Sequence, residues 1–455
     1  MVQKVAGSNP VFHPIVTPNF LGVYFLLVNN IKNIIENSPL GYYQYQIILI
    51  CFFLNIIDGM DVLIISYTAP IISLSMNFSS QELGIVFSSG VLGMAIGALI
   101  LAPLADKIGR RKIILISIII ISLSVIITAL SSSLYEVVIL RFLSGLGIGS
   151  MLATTVSMVS EYTPSKSKEF WISFILAGYP IGAILAGFLS NFILVSYNWQ
   201  SVFLVFGLIS SLFIPIVYFL LPESILFLKN NNQNSLQKIN SILKSLNHSK
   251  IRVLPNKSKI KKSIPLSNLF SQKFIYLTIK LWTAFFFSFM CLYFLISWIP
   301  KLVSDFGLSM ELGIYSGVVF NIGAFFGILT QGFFSSLFGL RKTIFAFLIL
   351  TALLMLNMNF FLGSNIILIV FGVLGFFVQG GFVGLYSLAA RIYPTEFRNT
   401  GIGWSIGAGR LGAVIGPLAA GFLLSLGLGI SENFKIFAIP AIISSFFTLK
   451  IYLRN

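Results

Sequence analysis

Apolar residues in this chain do not alternate with polar ones. They gather in runs of about 17 to 25 residues, the length that carries a helix across the hydrocarbon of a bilayer. Six runs precede a polar gap, over roughly 45–74, 82–104, 112–131, 135–160, 171–196 and 200–221. Six follow it, over roughly 276–300, 310–338, 343–362, 365–391, 400–427 and 433–453. The pattern predicts an all-α membrane protein with twelve transmembrane helices in two six-helix bundles, 45–222 and 276–455. Residues 1–44 form an N-terminal segment and 223–275 a linker.

The two bundles repeat each other at an offset of about 230 residues without a gap. Pro70 meets Pro300, Gly93 and Gly97 meet Gly323 and Gly327, and Gly145 meets Gly375. Gly109, Arg111 and Lys112 meet Gly339, Arg341 and Lys342; Pro164 meets Pro394, and Gly182-Ala183 meets Gly412-Ala413. Six helices return the chain to its starting side, so the halves are pseudo-symmetric with parallel topology. That arrangement belongs to carriers whose halves rock about a central site. Matched glycines fit it, because they let helices pack closely where lipid gives no drive for association.

Composition agrees with the pattern: 57% of residues are hydrophobic and 9% charged, with a mean hydropathy of +0.96. A soluble domain carries about 25% charged residues. The net charge of +16 would suit a nucleic-acid binder, but its placement excludes that reading. With both termini cytoplasmic, only Lys301 and Lys435 of the 29 basic residues fall in outward segments, and only Arg141 and Arg410 deep in helices. The excess is the positive-inside signal of a multi-pass protein. Between Lys229 and Lys273 the linker holds ten basic residues and no acid, and reads as a solvated or headgroup-facing cytoplasmic segment. Cys51 and Cys291 lie in apolar runs, and His13 and His248 in polar ones. The sequence therefore predicts no disulfide frame, metal site, cofactor or histidine relay in the membrane, and no nucleophile–base pair of an enzyme. Phe20 to Val28 is too short, and lacks the cleavage site, for a secretory signal.

Four ionisable residues break the repeat. Asp58 and Asp61 stand where the second half has Ser288 and Cys291, Arg141 where it has Phe371, and Arg410 where the first half has Pro180. Each charge at mid-bilayer costs about 2.5–3.5 kcal/mol on insertion scales, roughly 10–14 kcal/mol for four, which a scaffold does not repay. Asp58 and Asp61, three apart, share one face of the first helix. Two carboxylates in one site do not ionise together without cost, which makes the pair a candidate proton carrier. The bland alternative is that one Asp neutralises an arginine or supports a kink at Gly59. Arg410 lies about 15 Å into its helix at 1.5 Å per residue, near the midplane, where its planar fork suits a carboxylate. Its partner is either a substrate anion or the Asp pair, and Arg141 is a second candidate partner for that pair. Trp282, Tyr293, Tyr386 and Trp404 are candidates to line the cavity.

Ala102-Pro-Leu-Ala-Asp106-Lys-Ile-Gly109-Arg110-Arg111 resembles the loop between helices two and three of the major facilitator superfamily, with Ala102 in place of the usual glycine. The resemblance implies a cytoplasmic latch of Asp106, Arg110, Arg111 and Glu161. The second copy, Gly332 to Arg341, has Ser336 where Asp106 stands. Arg141-x-x-x-Gly145-x-x-x-Gly149 is similar to the superfamily's helix-four motif, which implies a part for Arg141 in substrate or proton coupling. Pro222-Glu223-Ser224 resembles the end of helix six, with Ile225-Leu226 replacing Pro-Arg.

A narrower resemblance, to the aromatic acid:proton symporter family, runs from about Ser38 onward. It is carried by Asp58-Gly-Met-Asp61, Ala69-Pro70, Asn198-Trp199-Gln-Ser-Val-Phe203 and Tyr293-Phe-Leu-Ile-Ser-Trp298. The longest stretch is Leu388-Ala-Ala-Arg391-Ile-Tyr-Pro394-Thr to Gly401-Ile-Gly-Trp404, continuing through Gly409-Arg410 to Pro417. Phe382 and Tyr386 occupy places where that family often has Gln and Asn, which implies an acid other than its hydroxybenzoates. Residues 1 to about 30 have no counterpart there.

The expectation is a proton-coupled importer of small organic, aromatic acid anions, working as a monomer in a bacterial inner membrane by alternating access. Asp58, Asp61 and Arg141 would carry coupling; Arg410, Tyr293, Tyr386 and Trp404 would bind substrate. The rivals are a sugar or other organic-ion carrier of the same superfamily and a transport-fold sensor signalling through the linker. Arg410 with the Asp pair separates an acid carrier from a sugar carrier, which relies more on Gln and Asn.

Overall fold

The computed structural model describes residues 39–451 apart from 231–234, 247, 249, 251–268, 273, 363, 365 and 395–397. The first half holds α1 (Tyr42–Ser75), α2 (Ser80–Ile108), α3 (Arg110–Thr128), α4 (Leu134–Tyr162), α5 (Lys168–Leu194) and α6 (Trp199–Leu220). The second holds α7 (Ile275–Asp305), α8 (Met310–Phe338), α9 (Leu340–Leu356), α10 (Ile367–Ile392), α11 (Arg398–Ser425) and α12 (Ile430–Leu449). Among the described residues eleven of these are long and apolar enough to cross a membrane. The twelfth place belongs to α9, expected to run to 362 but stopped at 17 residues. There Asn357 turns its amide onto the Leu353 carbonyl at 2.8 Å, and a separate turn, Met358–Phe361, follows.

Polar caps mark where several helices begin. Ser79 accepts from the Glu82 N–H at 3.3 Å while the Glu82 carboxylate accepts from the Ser79 N–H at 2.8 Å, a reciprocal box that opens α2. Ser133 and Glu136 do the same for α4, and Ser309 caps α8. Gly109 (φ 110°) and Gly339 (φ 85°) make the sharp breaks ahead of α3 and α9, in the left-handed region that side chains avoid.

The internal repeat extends to single atoms. A Cβ on Gly97 would overlap the Leu146 carbonyl oxygen, and one on Gly327 would overlap that of Phe376, the same pair moved by the repeat. Gly182 and Gly412 meet the Ile56 and Phe286 carbonyl oxygens in the same way. These contacts bring α2 onto α4 and α1 onto α5 in one half, and α8 onto α10 and α7 onto α11 in the other.

The halves meet along α2–α11, α5–α8 and α1–α7. Ser66 Oγ donates across the seam to the Ile296 and Ser297 carbonyls at 2.9 and 2.8 Å, and within the second half Trp298 Nε1 donates to the Pro417 carbonyl at 3.1 Å. Ser88 Oγ donates to the Val414 carbonyl at 2.7 Å, and the Phe87 ring meets Trp298 edge-on at 5.2 Å. This seam lies in the part of the bundle remote from the linker. In the segment read from sequence as polar linker, two short helices appear, Ile225–Asn230 and Ser235–Ser245. The second buries Ile239, Ile242 and Leu243, spaced three and four apart, and exposes Lys238 and Lys244.

Candidate functional site

α1 presents Asp58 and Asp61 into the first half, both almost fully buried. Asp61 is held from α4: Arg141 Nη1 donates to its carboxylate at 3.1 Å and its carbonyl at 3.3 Å, and Ser144 Oγ donates to the other carboxylate oxygen at 2.6 Å. Arg141 also lies over the Phe203 ring, 5.2 Å from its centroid. Of the two open sequence readings for Arg141, the structure places it on Asp61. Asp58 is different: both its carboxylate oxygens are buried without a hydrogen-bond partner among the described residues. An ionised carboxylate there has no compensating donor, so the pair is asymmetric.

Arg410 comes from α11 in the second half and is half-buried. Its Nη1 donates to the Tyr293 hydroxyl oxygen at 3.2 Å and reaches the Met94 sulfur at 3.9 Å. Its guanidinium carbon lies 5.8 Å from the Phe289 ring centroid. Among the described residues no carboxylate pairs with it. Around it stands an aromatic wall: Phe382 meets Phe289 at 4.7 Å and Tyr386 at 5.4 Å, both edge to face, and Tyr293 stacks on Phe289 at 6.0 Å. From α5, Tyr179 brings a buried hydroxyl, unpartnered among the described residues, within electrostatic reach of Arg410, Tyr293 and Asp58. The arrangement sets a cationic fork beside flat aromatic rings, a chemistry that suits a planar anion.

Trp404 stands apart from this group. It is 48% exposed and stacks on Trp282 with centroids 6.1 Å apart. Six residues at about 100° each turn it away from Arg410, onto the exposed stripe of Leu411, Ile415 and Leu418.

At the linker end of the first half, Arg110 forms an ion pair with the Glu161 carboxylate and donates to the Ser157 carbonyl at 3.1 Å. Asp106 stands 3.6 Å from Arg110 but is 78% exposed. Ser224 Oγ donates to Glu161 at 2.6 Å. The Arg111 N–H donates to the Glu223 carboxylate at 3.1 Å, and its side chain bonds the Tyr218 carbonyl on α6 rather than α4. The cluster therefore ties α3 to α4 and to the segment after α6.

Sequence reasoning passed over Ser144, Tyr179, Phe289 and Glu223 as site residues. Ser144 follows Arg141 by one helical turn, and Tyr179 precedes Pro180, the repeat partner of Arg410. Glu223 sits in a motif already singled out. Those signals were present in one dimension without saying which helix each faces.

A family model described as Major Facilitator Superfamily matches residues 51–337 and 318–455. A gallate transporter of Pseudomonas putida is 31% identical over 415 residues, 90% of this chain and 92% of its own. The 4-hydroxybenzoate transporter PcaK of Pseudomonas aeruginosa is 29% identical over 422 residues, 91% and 94% of the two chains. The xylose transporter XylE from E. coli, in a partially occluded inward open conformation, matches with a TM-score of 0.73 over 90% of this chain and 98% of its own. At 17% identity that is a likeness of fold.

Proposed function

Since this chain belongs to the Major Facilitator Superfamily, we propose that it is a secondary transporter importing aromatic acid anions with protons by alternating access. Similar proteins named for gallate and 4-hydroxybenzoate support the substrate class. The observation that carries the reading is Arg410: a half-buried guanidinium, walled by aromatics, with no protein carboxylate among the described residues. A cation in that position costs too much to stand idle and is offset by an anion that enters and leaves.

The two arginines divide the work. Arg141 neutralises Asp61, which leaves Arg410 for the substrate carboxylate. The planar ring then lies against Phe289, Phe382 and Tyr386. Apolar Phe382 offers no partner to a ring hydroxyl, so acids with few hydroxyls suit this wall best. The Asp58–Asp61 pair carries the proton. The Arg110–Glu161 cluster holds α3, α4 and the end of α6 together in one state of the cycle and releases them in the other.

The termini and linker lie on the cytoplasmic side of a bacterial inner membrane, and the sealed seam faces out, with a single chain as the working unit. Cysteines at Ser245 and Ser75, in a background without Cys51 and Cys291, label from opposite sides; labelling of both from outside intact cells removes this topology. The function is tested by uptake of labelled benzoate, 4-hydroxybenzoate, gallate, an aliphatic acid and xylose into vesicles, with and without a pH gradient. Gradient-dependent uptake of aromatic acids is expected. Uptake of xylose alone would turn the reading to a sugar carrier, and specific binding without accumulation would turn it to a sensor.

A further inference from the structure

Beside the Asp61–Arg141 pair lies a small space bordered by Asp61, Ser66, Arg141, Ser144, Tyr293 and Ser297. It has about 30 Å³ of room for water, enough for roughly two molecules. Arg141 leaves Nε and Nη2 buried without a protein partner among the described residues. Buried donors of a guanidinium are normally met, and a polar space beside them supplies the acceptor as water. Tyr293 forms the opposite wall, and its hydroxyl oxygen accepts the Arg410 N–H at 3.2 Å. One side chain on α7 therefore touches both the anion site of α11 and the space beside the charge pair of α1 and α4.

We infer that Tyr293 couples substrate occupancy at Arg410 to the Asp61–Arg141 pair through water held in this space. The inference rests on the transport reading above and names the residue that links its two halves. With the site empty, Arg410 donates to the Tyr293 oxygen. A substrate carboxylate is the stronger acceptor and takes that donor. The Tyr293 oxygen then accepts from the water that serves the free N–H groups of Arg141. The guanidinium is drawn from Asp61, which keeps only the Ser144 hydroxyl. A buried carboxylate pair short of its counter-charge takes up a proton. Loss of the anion reverses each exchange. The titratable and charged groups that bear on this region are Asp58, Asp61 and Tyr67 on α1, Arg141 on α4, Tyr179 on α5, Tyr293 on α7, Tyr386 on α10 and Arg410 on α11.

Tyr293→Phe tests the inference, since it keeps the ring against Phe289 and removes only the hydroxyl. Purified full-length protein is reconstituted into liposomes with labelled benzoate as the probe. At one proton per anion, a pH step of ~1 unit sustains about tenfold accumulation in the wild type. The variant is expected to retain exchange of external for internal benzoate, with its affinity shifted by the lost hydroxyl, while its protein-dependent accumulation falls to about unity. Benzoate-driven proton entry, read with an entrapped pH dye, is lost with it. Ser297→Leu fills the space from another wall and is expected to give the same loss with Tyr293 in place. Full accumulation by either variant overturns the inference and leaves the transport reading standing. Loss of exchange together with accumulation in Tyr293→Phe reduces the residue to a binding contact and also overturns it. Absence of transport of benzoate and every other acid by the wild type removes the transport reading and the inference with it.

Discussion

Arg410→Lys isolates what the guanidinium does beyond being positive. In the structure one of its nitrogens is given to the neutral Tyr293 hydroxyl, and no protein carboxylate pairs with it among the described residues. A bound carboxylate would be met by two parallel N–H donors, and lysine offers one rotating ammonium instead. Losing one charge-assisted hydrogen bond costs about 1–3 kcal/mol, roughly a 5- to 150-fold rise in Kd. The protein keeps a positive charge, and Asp61 keeps Arg141, so thermal stability in detergent is expected to stay near that of the wild type. The assay is equilibrium binding of labelled benzoate to purified protein, with benzamide as the neutral competitor. Benzamide should bind weakly to the wild type and lose little more on substitution. Equal binding of acid and amide by the wild type, or an unchanged Kd in Arg410→Lys, would refute the assignment.

The same structure sets three other expectations. Asp58→Asn and Asp61→Asn should each abolish gradient-driven accumulation of benzoate while exchange persists, because exchange does not require the proton to leave; normal accumulation by both moves the proton carrier elsewhere. Glu161→Gln should slow the transport cycle several-fold with substrate affinity unchanged, since it breaks a largely shielded ion pair with Arg110. Asp106→Asn should do less, as an exposed pair contributes at most about 1 kcal/mol; turnover and Kd measured side by side decide, and a large loss of affinity in either variant refutes the latch. Gly182→Ala should cost about 1–3 kcal/mol of stability by driving a methyl into the Ile56 carbonyl. Gly332→Ala, with nothing within 4 Å of the added carbon, should be neutral in the same thermal unfolding experiment.

The span pattern, the paired halves and the register of the repeat were legible along the chain, because each depends on local sequence. A run of apolar residues long enough to cross a bilayer declares itself without reference to its neighbours. The offset that aligns Gly182 with Gly412 also aligns the carbonyl oxygens they meet, Ile56 and Phe286. The four intramembrane charges were equally visible, since any charge in such a run is conspicuous. Which charge meets which was not. Arg141 reaches Asp61 across 80 residues of chain, and Arg410 faces Tyr293 across 117. Such pairings depend on how the helices cross and on each helix's rotation about its axis. Trp404 shows the rotational problem most plainly. It belongs to the same helix as Arg410 and to an equally suggestive motif, yet it lies on the exposed face with Leu411. The space that joins Arg141 to Tyr293 has no sequence signature, because it is bounded by four helices packed around a gap. Sequence determined the helices and their charges. Tertiary packing decided their partners, because side-chain direction turns through about 100° per residue and only the packed bundle fixes where that turn points.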